Sequence, residues 1–241
     1  MDIRYRQSFW FRWRRRLRRI LGLKWNVLVV GDSHVQVFEH SCLREAFPWV
    51  AFDVVWVGGA TASGLENPNS KTQASHLLRE PLYSKKRYDQ IFVNLGEVDV
   101  GFVIWYRAQK YQADVEVMME MALENYQAYI REASQVAPVI VISVPLPTIA
   151  DDNDWGEVAN LRREVKASQR ERTRLTLAFN RRMEEWCGHN EIDYLGLDDC
   201  SLGEDGLIAP KLLNEDPADH HYNPEIYALM LRDRLLPLLD D

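Results

Sequence analysis

Runs of consecutive apolar residues, many of them β-branched, alternate along this chain with longer stretches in which apolar positions recur every three or four residues. Val27-Leu28-Val29-Val30 is the first such run and predicts a buried strand over 26–30. The spacing of Val35, Phe38 and Leu43 then predicts a helix over about 34–46. Further strands are predicted at 51–57, where Gly58-Gly59 ends the run, at 88–95, closed by Gly96, at 137–144 and at 192–197. Helical spacing fills about 71–80, 113–134, 167–187 and 224–236. Residues 60–72 read as a loop turning at Asn67-Pro68-Asn69-Ser70. A second loop carries Pro145, Pro147 and the acidic run Asp151-Asp152-Asn153-Asp154. Five strands, each followed by a helix, imply a parallel sheet covered on both faces with right-handed crossovers.

Composition narrows the picture. The chain has 241 residues, of which 46% are hydrophobic, enough for one large α/β core, and no linker or internal repeat divides it. No apolar run approaches the length of a membrane span. Three cysteines (Cys42, Cys187, Cys200) lack the spacing of a zinc knuckle and leave one odd, which points to a reducing, cytoplasmic compartment.

Charge divides the chain at about residue 24. Residues 1–24 hold nine Lys/Arg and one acid, a net of +8. The remaining residues hold 20 bases and 35 acids, a net of −15. The basic segment also carries Phe9, Trp10, Phe11, Trp13, Leu17, Ile20 and Leu21. Such a helix either lies on an anionic membrane surface, here the inner face, or packs its aromatics on the acidic body. It lacks the apolar h-region of a cleavable signal peptide. The acidic body argues against a nucleic-acid partner. Residues 1–24 are therefore read as an N-terminal segment and 25–241 as one domain.

The chemistry gathers where the strands end, because ligands of open α/β sheets bind beyond the carboxyl edges. Gly31-Asp32-Ser33-His34 breaks the first strand and opens the next element. A serine there has unpaired backbone N–H groups beside it, and the positive end of the helix favours a developing oxyanion. Ser33 is the candidate nucleophile; its alternative role is a helix N-cap. Gly58-Gly59-Ala60-Thr61, Gly96-Glu97-Val98-Asp99 and the late run Asp216-Pro217-Ala218-Asp219-His220-His221-Tyr222-Asn223 end other strands or precede the last helix. His220 and His221, with Asp216 and Asp219, also resemble metal ligands, although adjacent histidines chelate one ion with difficulty. Neither a metal nor a cofactor is expected.

In order and spacing these blocks resemble those of the SGNH (GDSL-like) hydrolases, over roughly residues 26–236. The resemblance implies a three-layer α/β/α sandwich with a flavodoxin-like strand order 2-1-3-4-5. It implies Ser33 as nucleophile, His221 as base, Asp219 or Asp216 as the acid that orients it, and an oxyanion hole made by the Ser33 and Gly59 backbone N–H groups. Asp32, His34, Thr61, Glu97, Asp99, Trp105 and His220 are the candidates to line the substrate cleft. Two blocks depart from the family pattern. The third usually reads Gly-x-Asn-Asp, and Val98 stands at its oxyanion-donating Asn; the last usually reads Asp-x-x-His. The Gly-Glu-Val-Asp block looks like a divergent branch associated with bacterial surface-polysaccharide loci. That implies an O-acetyl or O-acyl esterase acting on a glycan, with an acyltransferase or a catalytically silent glycan-binding module as alternatives.

Overall fold

Alternate residues of the first strand face opposite ways. Val27 and Val29 enter one apolar cluster, while Leu28 and Val30 enter another. A strand buried on both faces needs a layer of helices on each, and the computed structural model of the chain has that form. It describes residues 9–67, 69–70, 72–151, 167–217 and 219–239. Expectations for Pro68, for Asp152-Asn153-Asp154 and for Ala218 lie outside these residues.

The strands are β1 (Trp25–Gly31), β2 (Val50–Trp56), β3 (Gln90–Asn94), β4 (Val139–Ile142) and β5 (Asp193–Leu195). They form one sheet in the order β2-β1-β3-β4-β5, with every pair parallel. This is the expected 2-1-3-4-5 order. The order reverses beside β1, so the carboxyl end of β1 is the natural site of chemistry. The helices are α1 (Phe9–Ile20), α2 (Ser41–Ala46), α3 (Ala74–Arg79), α4 (Ile104–Tyr111), α5 (Val115–Ser134), α6 (Gln169–His189), α7 (Asp198–Ser201) and α8 (Pro224–Leu239). Residues of α3, α5 and α6 (Leu78, Tyr126, Tyr129, Phe179, Met183) cover one face of the sheet. Residues of α2 and α8 (Leu43, Tyr227, Leu231, Leu235) cover the other. Local chemistry starts the long helices where the apolar spacing does. The Asp114 side chain accepts from Glu116 N, and Ser168 and Glu171 cap each other's backbone at α6.

Two differences from the sequence expectation bear on the site. The helix expected over 34–46 is a 3₁₀ segment, Ser33–Glu39, followed by α2. His40 separates them in an extended conformation (φ −67°, ψ 140°), and its ring accepts from Cys42 N to start the second helix. The other difference is Asp99–Val103, a π-helical turn leading into α4 where the periodicity predicts no helix. Its apolar residues are too crowded (Val100, Phe102, Val103, Ile104) to show a period.

Within the basic N-terminal segment residues 9–20 are helical, as expected, and this helix packs on the body through Arg14, Arg15 and Arg18. Arg14 and Arg18 reach the buried Asp89 carboxylate at 2.6 and 3.2 Å, and buried Arg15 donates to the Leu238 carbonyl. Phe11 follows the aromatic-docking expectation, meeting Trp25 edge-on at 5.1 Å. Trp10, Trp13, Leu17 and Ile20 face outward. Among the described residues no helix is long and apolar enough to cross a membrane.

Candidate active site

Gly31 ends β1 against the backbone of β3. A Cβ there would stand 1.9 Å from the Asn94 carbonyl oxygen, so only glycine lets the strands approach this closely. The next residue, Asp32, is buried. One of its carboxylate oxygens accepts from His34 N at 3.0 Å and lies 3.1 Å from His34 Nδ1. This cap opens the 3₁₀ segment with Ser33 at its first position, half-buried and facing the cleft.

Ser33 Oγ lies 2.8 Å from His221 Nε2. The other ring nitrogen of His221, Nδ1, is 2.6 Å from Asp219 Oδ1, and the same oxygen accepts from His221 N at 2.9 Å. Asp219 Oδ2 accepts from Asn214 Nδ2 at 3.0 Å. Burial pushes the Asp219 carboxyl up, but its bonds to the His221 amide and ring outweigh that and hold it below the usual carboxylate range. Of the two aspartates left open by the sequence, Asp219 therefore meets the histidine. Asp216 is exposed, and its backbone N–H donates to Asn214 Oδ1. Asn214 thus ties the turn together from both sides. Neither it nor Tyr222 was singled out in the sequence. Tyr222 lies under the cleft, accepting from Leu146 N at 2.6 Å, and Thr148 Oγ1 donates to the His220 carbonyl. A polar residue before an Asp-Pro turn is the only local hint of Asn214.

His34, His220 and His221 cluster. The His34 ring centroid is 4.7 Å from that of His221 and 5.6 Å from that of His220. Burial pushes His34 down, but the hydrogen bond and charge of Asp32, the charge of Glu97 and the His220 carbonyl together raise its pKa. Ring nitrogens of the three histidines lie within 4.8 Å of one another, which is a possible ligand set for a metal ion. His221 Nε2, however, is engaged by Ser33.

The remaining candidates divide. Gly59 stands in the left-handed region (φ +69°) in the turn after β2, at the same sheet edge as Ser33. Thr61 follows it and packs closely on Gly64. Glu97 is buried, and its charge acts on His34 and Tyr222 from below. Two residues expected to line the cleft are turned into the fold. Asp99 is fully buried and accepts from Ala62 N at 2.6 Å and Ser63 N at 3.0 Å. Its carboxylate fixes the loop that follows Gly59, and burial pushes its pKa up to about 6. Trp105 donates its indole N–H to the Val100 carbonyl at 2.8 Å and packs on the core. Asp99 opens the π turn and Trp105 lies in the first turn of the α4 helix that follows it.

The cleft beside Ser33 has a volume of about 250 Å³, and Val37, Asn214, His221, Tyr222 and Tyr227 form much of its wall.

No protein-family model matches the chain, and no curated protein matches it in sequence. Solved structures match its fold along nearly its whole length. A candidate acylhydrolase of Bacteroides fragilis is 12% identical, with 97% of this chain and 98% of that one covered and a TM-score of 0.55. A GDSL-like lipase of Bacteroides thetaiotaomicron is 14% identical, with 95% and 98% covered and a TM-score of 0.50. The acetylxylan esterase Axe2 of Geobacillus stearothermophilus is 12% identical, with 91% and 96% covered and a TM-score of 0.50. The chain therefore has the α/β fold of the GDSL-like (SGNH) hydrolases.

Proposed function

We propose that this protein is a serine esterase that removes a short acyl group from an O-acylated glycan. The observation that carries the reading is the continuous hydrogen-bonded chain Ser33–His221–Asp219 opening on a small cleft. A serine hydroxyl is a weak nucleophile until a base takes its proton. In this mechanism Ser33 Oγ attacks the ester carbonyl carbon as its proton passes to His221 Nε2, and Asp219 holds Nδ1–H and stabilises the imidazolium. The tetrahedral oxyanion sits against the Ser33 and Gly59 backbone N–H groups. His221 then gives its proton to the departing sugar oxygen, the C–O bond breaks, and an acyl-Ser33 ester remains. Water, deprotonated by the same imidazole, releases the acid and restores Ser33.

The cleft volume supports a short acyl group, and a glycan acceptor is supported by the acetylxylan esterase that shares this fold. Cys42, Cys187 and Cys200 are free thiols, in keeping with a reducing compartment. Val98 favours one other reading, because it stands where an oxyanion-donating Asn is expected and offers no donor. Loss of such a donor typically costs about 10²–10³ in rate, so a glycan-binding module without turnover is the alternative.

Intact-mass analysis after incubation with a fluorophosphonate serine probe tests the reading. One adduct on the wild type, absent from Ser33→Ala and His221→Ala, is expected. A folded wild type that resists both this probe and a smaller phosphonate would leave the binding module. With an active protein, product analysis in the presence of a sugar acceptor separates water from an acceptor hydroxyl as the acyl-enzyme's partner.

A further inference from the structure

The packing of α1 through Phe11, Arg14, Arg15 and Arg18 leaves an apolar stripe exposed. Trp10, Trp13, Leu17, Ile20 and Leu21 recur at spacings of three and four along one face. Trp10, Ile20 and Leu21 are 71, 81 and 61% exposed. Gly22, in the left-handed region, ends the helix, with Leu23 N donating back to the Arg18 carbonyl, and Leu23 extends the apolar face. Monomeric surfaces seldom expose so many large apolar groups side by side.

We propose that this stripe seats the protein on an anionic lipid bilayer and holds its catalytic cleft away from that bilayer. Charge selects the partner. Residues 9–24 contain no acid, and Arg12, Arg16, Arg19 and Lys24 are exposed around the stripe, whereas residues 25–241 carry a net −15. An anionic surface repels the body and attracts only this face. Two tryptophans in edge-to-face contact (5.9 Å) suit the headgroup boundary, where one end of the ring is apolar and the other wet. A second copy of the chain fits less well, because pairing two such stripes would bring two rows of arginines together.

Position in the fold gives the orientation. α1 touches Trp25 at the start of β1, Asp89 just before β3, Trp49 just before β2 and Leu238 at the end of α8. All the strand contacts are at the amino edge of the sheet. Ser33 follows the carboxyl end of the seven-residue β1, which at about 3.3 Å per residue stands roughly 20 Å away. The bound enzyme would therefore meet an ester in the aqueous phase or on a projecting polymer and would not draw a lipid from its own bilayer. This orientation rests on the reading of Ser33 as the reactive centre; the membrane contact does not.

The test is co-sedimentation of the full chain with vesicles of phosphatidylcholine and phosphatidylglycerol, or of phosphatidylcholine alone, combined with hydrogen exchange on the bound protein. Binding is expected only with the anionic lipid and is expected to weaken with salt. Leu17→Glu/Ile20→Glu should lower the partition coefficient at least ~10-fold, since charge enters the face that inserts. Exchange protection should gather in residues 9–24 and leave 33–40 and 214–223 unchanged. Equal binding by the double variant, or a concentration-dependent dimer that the same substitutions abolish, would overturn the membrane assignment. Protection of the cleft segments would overturn the orientation. Failure of Ser33 as nucleophile appears separately, as absence of probe labelling with vesicle binding intact.

Discussion

The Asp99 carboxylate accepts from the backbone amides of Ala62 (2.6 Å) and Ser63 (3.0 Å), so a residue of the third sequence block holds the loop that carries the second. A fully buried carboxylate thereby anchors the loop that follows Gly59.

Replacing Asp99 with Asn puts an amide donor against one of two N–H groups. A buried unsatisfied group of this kind costs ~1–3 kcal/mol, which urea denaturation at pH 7 will read as a lower midpoint with an unchanged slope. The pH dependence follows from a pKa raised by burial to about 6, against an ordinary aspartate value of 3.8. Between those values the folded protein binds more protons at this site than the unfolded chain, so this site's contribution to stability falls as pH rises through the window. Asp99→Asn removes that contribution. The wild-type minus variant difference in unfolding free energy should therefore decrease from pH 4 to pH 6 and be flat above it.

Asp219 and Asp216 give a paired test of the orienting acid. Asp219→Asn leaves the His221 ring without its carboxylate and should lower kcat on a small acetyl ester by roughly 10⁴-fold, the scale seen for loss of a triad acid. Asp216→Asn should stay within about twofold of wild type, because the substitution keeps the backbone N–H that donates to Asn214 and leaves the Asp219–His221 bond in place. Comparable losses in both would contradict the assignment of Asp219.

Gly31→Ala should fail to fold to the native state. The added methyl would meet the Asn94 carbonyl oxygen at 1.9 Å and Val35 Cγ1 at 2.7 Å, and the first of these is backbone that the sheet pairing fixes. Overpacking costs of ~1–3 kcal/mol are a lower bound for such a contact. Yield of soluble protein and its near-ultraviolet circular dichroism are the readouts.

Asp89→Ala tests the docking of α1. The buried carboxylate serves Arg14, Arg18 and Asn26 N together (2.6, 3.2 and 2.9 Å). Its loss leaves the Asn26 N–H without this acceptor and frees the helix, at ~1–3 kcal/mol. Limited trypsinolysis should cut residues 12–19 first in the variant, with the 25–241 body persisting.

The sequence by itself determined the elements whose signals are local. Strands buried on both faces read as unbroken apolar runs, and the long helices announce themselves by spacing and by caps such as Ser168 with Glu171. The place of Ser33 was legible too, because the Gly-Asp-Ser break follows directly on a buried apolar run. Tertiary structure alone chose Asp219 over Asp216, since the two lie within four residues of each other and only the Asn214 turn decides which faces His221. It also turned Asp99 and Trp105 inward, because their partners, the Ala62 and Ser63 amides and the Val100 carbonyl, come into place only when the chain folds. The two faces of α1 were visible as a pattern, but which face met the body depended on Asp89, 71 positions beyond Arg18. A periodic pattern fixes which residues share a face; the contact that covers it comes from residues the chain brings near only when it folds.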